Sequence, residues 1–218
     1  MRWLFVLSLF CAPVAHADEP AYGQVSVCYN YGCATQAIVN FSAQQLQQVD
    51  QLLASAEDAG HERQLLAQAI GQLYAWAGAQ TPIHADRAGN YADAGVSGEM
   101  DCIDHSTTTT RFLRMLEQRG ALHFHHVIAV TRRGWIFQHF TATVEERQSM
   151  TDVATAAALT RTSTPTSAQP PTQLLTQSST QPSTQLRRFA VDSWYVDSGK
   201  PAIVLPLDQW FSYGGPGV

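Results

Sequence analysis

The chain has 218 residues, 45% of them hydrophobic, and a formal charge of −5 from 13 basic and 18 acidic side chains. That suffices for one domain with a full core, with or without an appendage. The longest basic runs are pairs such as Arg132-Arg133 and Arg187-Arg188, so no nucleic-acid partner is expected, because phosphate binding needs a concentrated positive field. No nucleotide-binding motif is present and Lys200 is the only lysine, so no cofactor is expected.

Residues 1–17 read as a secretory signal peptide. Arg2 precedes an apolar run from Trp3 to Val14, and Ala15-His16-Ala17 offers a small-x-small cleavage site. The run is shorter than the ~20 residues that span a bilayer, and no later stretch is long enough. The mature chain is therefore expected to lack a transmembrane segment and to be periplasmic or secreted. Cleavage removes Cys11 and leaves Cys28, Cys33 and Cys102. In an oxidising compartment, Cys28 and Cys33 flank a Tyr-Asn-Tyr-Gly turn and are expected to close a local disulfide, which leaves Cys102 as a lone thiol.

Ser42 followed by Gln45 is a capping box, and Leu46, Val49, Leu52, Leu53 and Ala56 then repeat at helical spacing until Gly60. A second helix carries Leu65, Leu66, Ala69, Ile70, Leu73 and Trp76 and stops near Gly78. Residues 81–99 are rich in Gly, Asp, Asn and Pro and read as a long loop. A third helix begins at Cys102 with Asp101 as N-cap and ends at Gly120. Alternation over residues 121–130 predicts a strand with Leu122, Phe124, His126, Ile128 and Val130 on its apolar face, and His123 and His125 exposed on the other. Thr131-Arg132-Arg133-Gly134 reads as a turn and residues 135–144 as a second strand.

Residues 148–187 are dominated by Ser, Thr, Gln, Pro and Ala, with Thr-Gln recurring every four residues between 172 and 184. Such a segment buries too little apolar surface to offset its ordering entropy, so it is expected to be a disordered insertion. Structure resumes with strands at residues 189–195 and 202–205 and a helical turn at 207–210. Residues 18–147 and 188–218 then form one α+β domain, with N-terminal helices and the Cys helix packed on an antiparallel sheet.

A cysteine that opens a helix sits among backbone N–H groups that favour a thiolate. A histidine on a neighbouring strand can take its proton, and a carboxylate on the next strand can orient the imidazole. The chain supplies Cys102, then His126 or His139, then Asp192. Asp192 is notable because strands disfavour aspartate. Asn90 and Tyr91 in the preceding loop are candidate oxyanion donors. Asp101 and Asp104 beside Cys102 oppose thiolate formation.

Gly89-Asn90-Tyr91-Ala92-Asp93, Met100-Asp101-Cys102-Ile103-Asp104-His105, Gln138-His139-Phe140-Thr141 and Ala190-Val191-Asp192-Ser193-Trp194-Tyr195 resemble an uncharacterised family of exported proteobacterial proteins. More distantly, the Cys, His, Asp order resembles the transglutaminase-like (papain-like) cysteine peptidases. The resemblance implies a papain-like fold, Cys102 as nucleophile, His139 as base and Asp192 as orienting acid. It also implies thiol-dependent acyl transfer on a protein or peptide substrate, by hydrolysis or transamidation. His126 remains the alternative base. Fifty-three positions separate His139 from Asp192; without residues 148–187 about a dozen remain, a hairpin's length. Two other functions stay open: a non-catalytic envelope binding protein of the same fold, and a metal-binding protein using His105, His123, His125, His126 and His139.

Overall fold

The computed structural model describes residues 23–89, 95–148 and 186–212. The expected signal peptide (residues 1–17), the candidate oxyanion donors Asn90 and Tyr91, and nearly all of the expected insertion at 148–187 lie outside the described residues.

The architecture is α+β, and it opens with a hairpin that the sequence patterns did not announce. Strands β1 (Gln24–Tyr29) and β2 (Thr35–Asn40) pair antiparallel. Their turn holds Asn30, Tyr31, Gly32 and Cys33 at φ near +60°, a conformation that costs energy for the three non-glycine residues. The Cys28–Cys33 disulfide closes this turn.

Helix α1 (Ala43–Ala54) starts with the Ser42/Gln45 capping box and buries Leu46, Val49 and Leu53. Gly60 is not its terminus. The helix ends at Ala54, and Asp58 caps α2 (Ala59–Gly78) by accepting from His61 N–H, so Gly60 falls in the first turn of α2. Near its middle, α2 carries Gly71, where a Cβ would lie 2.6 Å from the Lys200 carbonyl oxygen. Only glycine lets the Lys200–Pro201 segment cross that close. A 3₁₀ turn (Pro82–Ala85) follows, and then α3 (Cys102–Gln118), whose C-cap Arg119 precedes Gly120 at φ +73°.

Helix α3 packs on β1 on one side and on the main sheet on the other. Its four consecutive threonines suit that position. Thr108 Oγ1 accepts from Cys28 N–H, Thr109 bonds Tyr74 and Ser193, and Thr110 donates back to the Ser106 carbonyl. Tertiary partners here outweigh weak helix propensity.

The main sheet is antiparallel: β3 (His125–Val127), β5 (His139–Glu146), β6 (Arg188–Asp192) and β7 (Ile203–Pro206) in that order, with β4 (Thr131–Arg133) on the remaining length of the β5 edge. A short helix α4 (Leu207–Ser212) follows. Two expectations change here. The strand read over 121–130 shrinks to three residues, with its faces reversed: His125 and Val127 are buried and His126 is not. The segment read as a turn, Thr131–Arg133, is strand β4, and the reversal falls on residues 134–138. The first follows from Glu62 on α2, whose carboxylate takes the N–H groups of His123 and Phe124 and the Nδ1 of His125. That anchor pulls His125 inward.

Candidate active site

The site begins with the cap of α3. Asp101 accepts from the N–H groups of Ile103 and Asp104, and the Asp104 carboxylate reaches back to Asp101 N–H. The first helical residue, Cys102, is left with its own N–H beside its sulfur. The disulfide turn clamps this cap from outside, with Gly32 N–H donating to Asp101 (2.8 Å) and Cys33 N–H to Asp104 (2.6 Å). Arg111 binds Ser26, Gln36 and the Cys28 sulfur, which ties the hairpin to α3 a second time.

Cys102 is the free cysteine of the described residues and is 7% exposed. It packs with Trp194, Tyr195 and Phe140. Its sulfur is 3.8 Å from the Gln138 carbonyl oxygen. Burial pushes its pKa above the ordinary thiol value, and the charges of Asp101 and Asp192 push the same way; the backbone N–H groups of Phe140 and of Cys102 itself oppose them. The balance favours the thiol over the thiolate.

His139 lies between the two residues that touch that sulfur. It opens β5, is 6% exposed, and its Nε2–H donates to Asp192 Oδ2 at 2.7 Å. Continuing the β5–β6 register one step beyond Ala142 and Val191 sets Asp192 opposite Thr141 and diagonal to His139. Asp192 is itself held. Its Oδ2 accepts from the Trp210 indole (2.8 Å) and its Oδ1 from Trp194 N–H (3.2 Å). The rings of Trp194, Tyr195 and Trp210 surround His139 at 4.9–5.6 Å. With Nε2 committed to Asp192, the neutral ring carries its lone pair on Nδ1, and this buried nitrogen has no hydrogen-bond partner among the described residues.

The sequence-derived candidates separate clearly. His139 and Asp192 are bonded to each other, and Cys102 packs on Trp194 and Tyr195, two of the rings that face His139. His126 does not join them. It pairs with Glu145 (3.1 Å), six residues along β5 from His139, or about 20 Å at strand rise. The expectation that His125 is exposed is also wrong. It is fully buried and bonded to Glu62, for the reason given above. The histidines proposed for a metal do not converge: His105 bonds Asp86, His125 bonds Glu62, His126 bonds Glu145 and His139 bonds Asp192. Among the described residues, the metal-type group of three is Cys28, Cys33 and Asp104, and its two sulfurs form the disulfide.

Sequence reasoning missed the residues that hold the site. Asp86 bonds His105 Nε2 (2.9 Å) and Met100 N–H (2.9 Å). His105 Nδ1 meets Ser193 Oγ (2.9 Å), which also meets Thr109 and Tyr74. This buried chain joins the Cys102 helix to the residue after Asp192. Burial pushes the Tyr74 hydroxyl pKa up, so it stays a donor, to the His105 carbonyl. Trp210, which anchors Asp192, sits in a helical turn whose pattern signals nothing beyond apolar packing.

No described helix is long and apolar enough to cross a membrane, and the disulfide fits an oxidising compartment. Comparison with family models, with curated proteins and with solved structures returned no match.

Proposed function

We propose that the protein is an exported, papain-like, thiol-dependent acyl-transfer enzyme acting on a peptide or amide bond through Cys102, His139 and Asp192. One observation carries this: His139 is fixed through Nε2 to a buried carboxylate, its buried Nδ1 has no partner among the described residues, and the preceding residue's carbonyl, Gln138, meets the Cys102 sulfur. Buried polar atoms are seldom left so without a use.

In this scheme the Cys102 thiol gives its proton to His139 Nδ1 as sulfur attacks the carbonyl carbon. The carbonyl oxygen becomes an oxyanion, for which the Cys102 N–H at the head of α3 is a donor. The C–N bond then breaks, the proton passes from Nδ1 to the leaving amine, and a thioester remains on Cys102. Water or an amine attacks the thioester, loses a proton to Nδ1, and releases acid or amide and the free thiol. Asp192 holds the ring in the required tautomer throughout.

The raised thiol pKa and the burial of Cys102 favour a second possibility, a non-catalytic envelope binding protein of the same fold. A burst of p-nitrophenol on mixing with p-nitrophenyl acetate separates the two. A burst stoichiometric with protein, absent in Cys102→Ala and His139→Ala, is expected of the enzyme. Release at the rate of buffer alone leaves the binding protein.

A further inference from the structure

Three consecutive large apolar side chains are in water. At the tip between β4 and β5, Trp135 is 89% exposed, Ile136 81% and Phe137 91%. The tip is a built feature. Gly134 stands at φ +76°, where a Cβ would lie 2.1 Å from the Phe137 carbonyl oxygen, so this turn closes only with glycine. Its stem is fastened as well. Arg133 donates to the Trp210 carbonyl and the Tyr195 hydroxyl, with its guanidinium 4.6 Å from the Trp210 ring centre, and Thr143 donates to Thr131 at 2.9 Å. Residues 131–144 contain Arg132 and Arg133 and no carboxylate, in a chain of net charge −5. Arg132 is exposed.

We propose that this tip inserts into the interfacial layer of an anionic phospholipid bilayer. Two observations favour lipid over a protein groove. Consecutive side chains along an extended or bent backbone point to different sides, and all three here are more than four-fifths exposed. A flat partner surface covers one or two of them, whereas a lipid layer surrounds the tip. The charge is also right: the stem is positive on a negative molecule, which suits acidic headgroups and not an average acidic protein surface. Tryptophan is the side chain most at home at the membrane–water boundary. Gln138 directly follows the tip and its carbonyl touches the Cys102 sulfur, so insertion sets that site at the membrane surface. The proposal does not need Cys102 to be a nucleophile.

The test is sedimentation of the chain from Asp18 onward, which holds every described element, with vesicles of three parts phosphatidylethanolamine to one part phosphatidylglycerol, and with phosphatidylcholine alone. Partition into the anionic vesicles is expected to exceed that into neutral ones by about tenfold. Trp135→Ser with Phe137→Ser is expected to lower it at least about tenfold, from the apolar area withdrawn, with circular dichroism unchanged. The single variants Ile136→Ser and Arg132→Gln, on exposed side chains that brace nothing in the core, are expected to lower it severalfold. Absence of sedimentation with anionic vesicles overturns the proposal, as does binding that the tip variants retain. Tip-dependent self-association without lipid binding also overturns it, and assigns the tip to a second copy of the chain.

Discussion

His125 and His139 each place a ring nitrogen 2.7 Å from a buried carboxylate oxygen, and the two pairs do different work. Around His125, every polar atom is used. Nδ1 meets Glu62, and Nε2 meets the Arg63 guanidinium at 3.2 Å. An arginine cannot accept, so Nε2 holds the lone pair and Nδ1 the proton, in a neutral ring with nothing left to exchange. Burial alone would raise the Glu62 pKa, but the His125 ring and the N–H groups of His123 and Phe124 outweigh it and hold the carboxyl below its ordinary value. His105 is saturated in the same way, between Asp86 and Ser193. His139 has the same first partner, and its second nitrogen has no hydrogen-bond partner among the described residues. A histidine–carboxylate pair is therefore a brace when both nitrogens are occupied, and a candidate base when one is left open.

Four substitutions break or sharpen that contrast. The largest effect is expected from Asp192→Asn. It removes the negative charge that would stabilise a protonated His139 and leaves one acceptor oxygen for three donors, so the ring is no longer held in one tautomer; acylation of Cys102 should fall about 10⁴-fold, read as the p-nitrophenol burst rate. Glu62→Ala is expected to do the reverse, costing about 3–5 kcal/mol of stability in urea unfolding while the folded protein acylates at the wild-type rate. If Glu62→Ala abolished acylation in protein that remains folded, the two pairs would not be separable.

Ser193→Ala should cost about 1 kcal/mol, since His105, Thr109 and Tyr74 all meet its hydroxyl. It should slow acylation only modestly, because it acts by holding α3 against β6. The smallest effect concerns Asp104. Burial, and then the Asp101 charge, raise its pKa from 3.8 to about 6. The fold thus favours the protonated form, and that contribution is complete below pH 3.8 and lost as pH rises through about 6. Asp104→Asn removes the titration, so the thermal midpoint of the wild type should fall relative to the variant by about 2–4 °C across that window. Parallel pH profiles would remove Asp104 as the titrating group.

The parts of this arrangement that were legible in sequence are those set by local chemistry. Ser42 and Gln45 satisfy orphan N–H groups within one turn, as Asp101 does at the head of α3, so both helix starts could be read from spacing. Cys28 and Cys33 are close enough in sequence for the pairing to be read as well. What failed depended on partners far along the chain. Alternation over residues 121–130 gave the wrong face, because β3 is three residues long and its orientation is set by Glu62, some sixty positions away. Asp86 and Trp210 carry no motif, Ser193 stands in a motif that says nothing of its bracing role, and these roles exist only once α3, β6 and α4 meet.

The most direct measurement is the rate at which Cys102 itself is acetylated by p-nitrophenyl acetate at neutral pH, by peptide mass mapping, in three samples: native protein, His139→Ala, and native protein unfolded in urea. With an open base at His139, the native protein should acetylate Cys102 about 10²–10⁴-fold faster than either of the others. Equal rates in all three, or slower acetylation in the native fold than in the unfolded chain, would mean that His139 is one more brace and Cys102 a buried thiol without a reaction.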